Sequence, residues 1–174
     1  MDTTTPPVPG GLSRERADIL ESLRAHRAFL LVTVQGLTDA QAALSPTASS
    51  LCLGGIVKHV TLVERQWAGF AVGGAEAMAG GGGEQEWADA FRMLPGETLA
   101  GLVEAYRDVA ARTDDLVLEL DLDTDHTLPP APWFAPGATR SVRRVFLHLV
   151  GETAQHAGHA DIIRETLDGQ RTMG

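Results

Sequence analysis

The stretch GETAQHAGHADII, residues 151–163, sets Glu152, His156 and His159 at helical spacing among residues that otherwise suit a helix core. With Glu152 at zero on a helix of 100° per residue, His156 falls at about 40°, His159 at about −20° and His148 at about −40°. All border an apolar stripe of Val142, Phe146, Leu149, Thr153, Ala160 and Leu167. These polar groups therefore edge the core rather than face water. A carboxylate and an imidazole at i, i+4 lie about 6 Å apart at Cβ and can converge on one ion. They supply two ligands. A metal site with an open position takes three from the protein, so another helix must give the third.

His59 is the best supplier, mid-helix between Ile56 and Val63 in VKHVTLVERQW, residues 57–67. An imidazole left unpartnered there would cost about 1–3 kcal/mol. The spacing leaves two readings open. One is a metal site; the other is a polar seam in which His59 hydrogen-bonds a carboxylate such as Glu152.

The elements that must position these groups read as helices. Residues 1–12 form an expected disordered lead with three prolines and no periodicity. Ser13 is an N-cap for a first helix whose apolar residues Ile19, Leu23, Leu30 and Val34 repeat at spacings of three and four, with Gly36 as its stop. Thr38 or Asp39 begins a short helical turn. A second helix starts after Ser49 or Ser50; Cys52, Ile56, His59, Val63, Gln66 and Phe70 share its inner side, and Lys58, Glu64 and Arg65 lie toward the outside. The run AMAGGGGEQEW, residues 77–87, reads as a flexible loop. A third helix runs from about Thr98 to Leu120, and a fourth from Thr139 or Ser141 to about Leu167, with Gly169 as its stop. Between them lies a long crossover with four prolines, residues 121–140. Crossovers of that length tend to cover a site. No stretch reads as a strand. The expectation is an all-α protein, a four-helix bundle over residues 13–169 with a short tail at 170–174.

Composition narrows the function. A formal charge of −9 with no basic run excludes a nucleic-acid binder. No apolar run approaches the roughly 20 residues that span a bilayer, and the N-terminus has no signal-peptide pattern. The single cysteine, Cys52, suits a reducing, cytoplasmic setting. It reads as a small buried apolar residue, about 10 Å along the helix from His59. Arg140, Arg143 and Arg144 open the fourth helix, where they could receive an anionic substrate or pair with the acidic residues at 119–125. Trp133 and His126, in the crossover, could close over a pocket. Glu64, Arg164 and Glu165 read as solvated or interhelical salt-bridge residues.

The blocks VKHVTLVERQW and VFLHLVGETAQHAGHADIIRETLDG, residues 145–169, resemble the DinB-like superfamily, and within it the branch that includes mycothiol-dependent maleylpyruvate isomerase. The resemblance covers roughly residues 13–169. It implies a four-helix bundle holding a divalent metal through His59, Glu152 and His156. Gly158 stands where many members carry the glycine of a Gly-Gln step, and His159 replaces the glutamine. His159 is thereby expected to support the ligands from just outside them or to face substrate, as a proton shuttle, rather than to ligate. Arg143, Arg144 and Trp133 are the expected substrate contacts. The implied enzyme uses a low-molecular-weight thiol, mycothiol, for thiol transfer or isomerisation of a small electrophile, and a homodimer is in keeping with it. The alternative is a non-catalytic metal- or small-ligand-binding, stress-associated bundle. The metal itself, among Zn, Ni, Fe and Mn, is not specified by the sequence.

Overall fold

The computed structural model describes residues 12–78 and 89–172. The lead before residue 12, the Gly-rich run and the last residues of the tail lie outside these. The described residues are mostly helical. In chain order they form α1 (Arg14–Val32), α2 (Asp39–Ala42), α3 (Leu53–Met78), α4 (Leu99–Glu119), β1 (Asp125–Thr127), β2 (Thr139–Ser141) and α5 (Val142–Asp168).

Side-chain caps set most of the boundaries. Ser13, Thr38, Thr98 and Ser141 each accept a hydrogen bond from the backbone N–H three residues on, satisfying donors that a first helical turn leaves open. At Thr38 the box is closed by Gln41, whose side chain accepts from the Thr38 N–H. Gly169, at φ 81°, ends α5 in the left-handed conformation that glycine adopts without Cβ strain. Helix α1 stops earlier than expected, at Val32, and Gly36 (φ 72°) closes the turn that follows.

Two expectations need correcting. The crossover is not without strands: β1 and β2 pair antiparallel, with His126 opposite Arg140. Each strand has only three residues, too few to show alternation. Glu64 does not lie outside; it is 1% exposed. Helix α3 packs against α2, α4, α5 and β1, so between Leu53 and Gly74 only Arg65, Val72 and Gly73 are exposed. A helix surrounded in this way has no broad solvent face for charged residues to mark.

Each of α1 and α3 packs against both α4 and α5. One apolar cluster joins Leu23, Trp67, Phe70, Val117 and Phe146; a second joins Leu30, Ile56, Val60, Tyr106 and Ala160. The long α3 is broken at Gly74 (φ 69°, ψ −156°). Just ahead of the break, His126 Nε2 donates to the Ala71 carbonyl at 3.1 Å, which ties the crossover to the helix.

Candidate metal centre

His59 comes from the second turn of α3, and Glu152 and His156 from the middle of α5. One ligand atom from each lies within 4.8 Å of the other two. The His59 and His156 rings meet edge to face at 4.7 Å between centroids, and His156 Nε2 is 3.7 Å from Glu152 Oε2. Both histidines are buried, while Glu152 is half-buried.

Burial pushes the His59 imidazole down to about 4, and the nearby His156 adds to the effect. Burial also lowers His156, with His159 reinforcing it. Both rings are therefore neutral at pH 7, the form in which imidazole binds metals. The Nδ1 atoms of His156 and His159 are buried without a hydrogen-bond partner among the described residues. Two neutral imidazoles beside a carboxylate suit a divalent ion such as zinc. The residues present fit the group.

The surroundings include parts that the helical spacing alone does not reveal. Phe91 stacks on His59 at 3.8 Å and 21° and also approaches His156, at 5.9 Å. It reaches them because Gly54 and Gly55 leave the start of α3 bare. A Cβ on Gly55 would sit 2.0 Å from the Phe91 carbonyl oxygen, and one on Gly54 would sit 2.2 Å from Met93 Sδ. Cys52 joins the same seam, buried and 3.7 Å from the Phe91 carbonyl through Sγ. The Gly-Gly pair at 54–55 was the available signal; its partner segment was not.

On the other side, Glu152 Oε1 lies 3.7 Å from His148 Nε2, and the His148 ring meets Trp67 edge-on at 4.7 Å. Burial lowers the His148 pKa; Glu152 opposes this, and Arg140 and Arg144 push further down. Glu152 thus stands between two imidazoles, each four residues away along α5. His159 is half-buried, its ring 5.4 Å from His156.

The expected substrate contacts are placed as follows. Arg143 pairs with Glu15 and Asp123, which raises its pKa through both hydrogen bonds. Arg144 is exposed. Trp133 is 77% exposed and leans on Phe134. Arg164 is buried and donates to the Thr33 and Gln35 carbonyls, holding the end of α1.

Residues 18–169 match a protein family described as mycothiol-S-transferase, one of the DinB-like superfamily. The chain belongs to that family. No curated protein matches it. Among the described residues, no helix is long and apolar enough to cross a membrane.

Proposed function

We propose that the chain is a metal-dependent thiol S-transferase built on a DinB-like four-helix bundle, with His59, Glu152 and His156 as the protein's three ligands to a divalent ion. The convergence of those ligand atoms within 4.8 Å from two helices is the observation that carries the reading. Family membership supports mycothiol as the thiol donor. The reaction joins the thiol sulfur to an electrophilic carbon of a small molecule, with release of the leaving group and of the thiol proton.

A divalent ion held by His59, Glu152 and His156 would favour the thiolate form of a coordinated thiol at neutral pH. The chain's own residues do the rest. Phe91 covers His59 and keeps water from one side of the cluster. His148, packed on Trp67, faces the second oxygen of Glu152, and a group in that outer position would help fix the ligand's orientation. His159, two turns beyond Glu152 on the same stripe, would take the thiol proton. The net charge of −9 and the lone Cys52 suit a cytoplasmic protein acting on small molecules.

Protein purified without an affinity tag should contain close to one divalent ion per chain, lost in His59→Ala. Metal-replete protein should couple an electrophile such as monobromobimane to mycothiol faster than the uncatalysed rate. Undiminished metal in His59→Ala would remove the ligand assignment. Stoichiometric metal with no rate enhancement would favour a non-catalytic metal-binding bundle.

A further inference from the structure

Arg140, Arg143 and Arg144 are near neighbours in sequence, yet they are neutralised very differently. Arg143 takes both Glu15 and Asp123. Arg140 and Arg144 make no ion pair among the described residues, although the chain carries 23 acidic side chains against 14 basic ones. Arg140 is half-buried on β2, beside the start of α5. Its guanidinium carbon lies 4.6 Å from the Trp67 ring centroid and 5.4 Å from that of Phe134. Its Nη1 is buried and has no hydrogen-bond partner among the described residues.

Aromatic faces hold a guanidinium by its plane and leave its N–H donors unused. Here that plane is fixed while a desolvated donor lacks an acceptor. Such a fork matches a carboxylate in geometry and charge. The contacts run unbroken from there to the candidate metal centre. Trp67 meets His148, and His148 faces Glu152. Arg144 lies four residues on from Arg140, exposed in the first turn of α5.

We propose that Arg140, held against Trp67 with Arg144 beside it, is a carboxylate receptor that anchors one end of the substrate electrophile along the Trp67–His148 wall. This rests on the proposed transferase reading for what happens at the far end of the ligand, though anion capture at Arg140 does not depend on it. The electrophile is thereby a small organic acid. A chain of charge −9 offers an anion little attraction at long range, so the preference arises on contact.

The test uses the metal-loaded full chain and a matched pair of probes, phenylacetate and its neutral amide, phenylacetamide, in titration calorimetry. The acid should bind about tenfold more tightly than the amide, a difference of about 1.4 kcal/mol. Arg140→Gln should abolish that preference and leave metal content and amide binding unchanged. Arg140→Lys should restore only part of it, because a point charge lacks the fork and the stacking plane. If Arg140→Gln does not fold, by circular dichroism, Arg144→Gln at an exposed position should still reduce the preference about threefold. Equal binding of the two probes by the wild type, or a preference intact in Arg140→Gln, would overturn the proposal. With Arg140→Gln unfolded, a preference intact in Arg144→Gln would do the same. No thiol or turnover enters the measurement, so a failure of transferase activity leaves this result standing.

Discussion

Glu64 and Glu152 both bring a carboxylate among the helices, and their surroundings could hardly differ more. Glu64 on α3 is matched by Arg27 of α1, the two side chains 1% and 6% exposed, and Arg27 also reaches Asp114 of α4 at 2.6 Å. Burial works against the Arg27 charge, but the attraction of Glu64 and the hydrogen bonds to Asp114 and Glu64 prevail and raise its pKa. Glu152 meets no cation of this kind; it lies between the imidazoles of His148 and His156, whose pKa values burial pulls down. One cluster is closed, with its charges matched inside the protein. The other gathers lone pairs from two helices, and no Lys or Arg pairs with Glu152 among the described residues. Charges matched in place tie helices together, whereas lone pairs converging from two helices on one point suit a divalent ion.

Three perturbations would break or sharpen that contrast. The largest effect belongs to the closed cluster. Glu64→Ala leaves Arg27 buried with one acid where it had two, and should cost about 3–5 kcal/mol in urea unfolding. Its metal content should be unchanged. A loss of metal instead would mean that the two clusters act as one.

Next comes the seam that covers His59. Gly55→Ala drives a Cβ into the Phe91 backbone and should destabilise by about 1–3 kcal/mol. It should also release Phe91 from the His59 ring, seen as a change in the His59 imidazole NMR shifts. An unshifted His59 would show that another group holds the ring.

Counted per unit of pH, the smallest effect is on pH dependence without metal. His59 takes a proton near 6.5 when unfolded and only at about 4 when folded. The folded state therefore binds fewer protons in that window, and stability falls as pH drops from about 6.5 toward 4, by about 1 kcal/mol per unit at most. His59→Gln should flatten the slope. A slope unchanged in His59→Gln would assign the proton elsewhere.

The part of the site carried by helical spacing was legible in the sequence. Glu152, His156 and His148 share one stripe because 3.6 residues make a turn, and His59 sits among apolar residues that demand an inward face. The caps Ser13, Thr38, Thr98 and Ser141 were readable for the same local reason. What depends on contact between distant segments was hidden. Phe91 reaches His59 across a surface that only two glycines leave open, and no period announces that. Glu64 was read as outward because a wheel assumes a solvent face, and α3 has little of one. The β1–β2 ladder stayed hidden because it is defined by partners rather than by pattern.

The hydrogen bond from His126 to the Ala71 carbonyl joins a break in α3 to a strand some 50 residues further on. Segments clasped in that way open together or not at all, so the end of α3 and the β1–β2 ladder should exchange their amide hydrogens as a single unit. The Arg140 stack belongs to the same ladder and would be carried with it. Substrate access would then be governed by how often that clasp lets go.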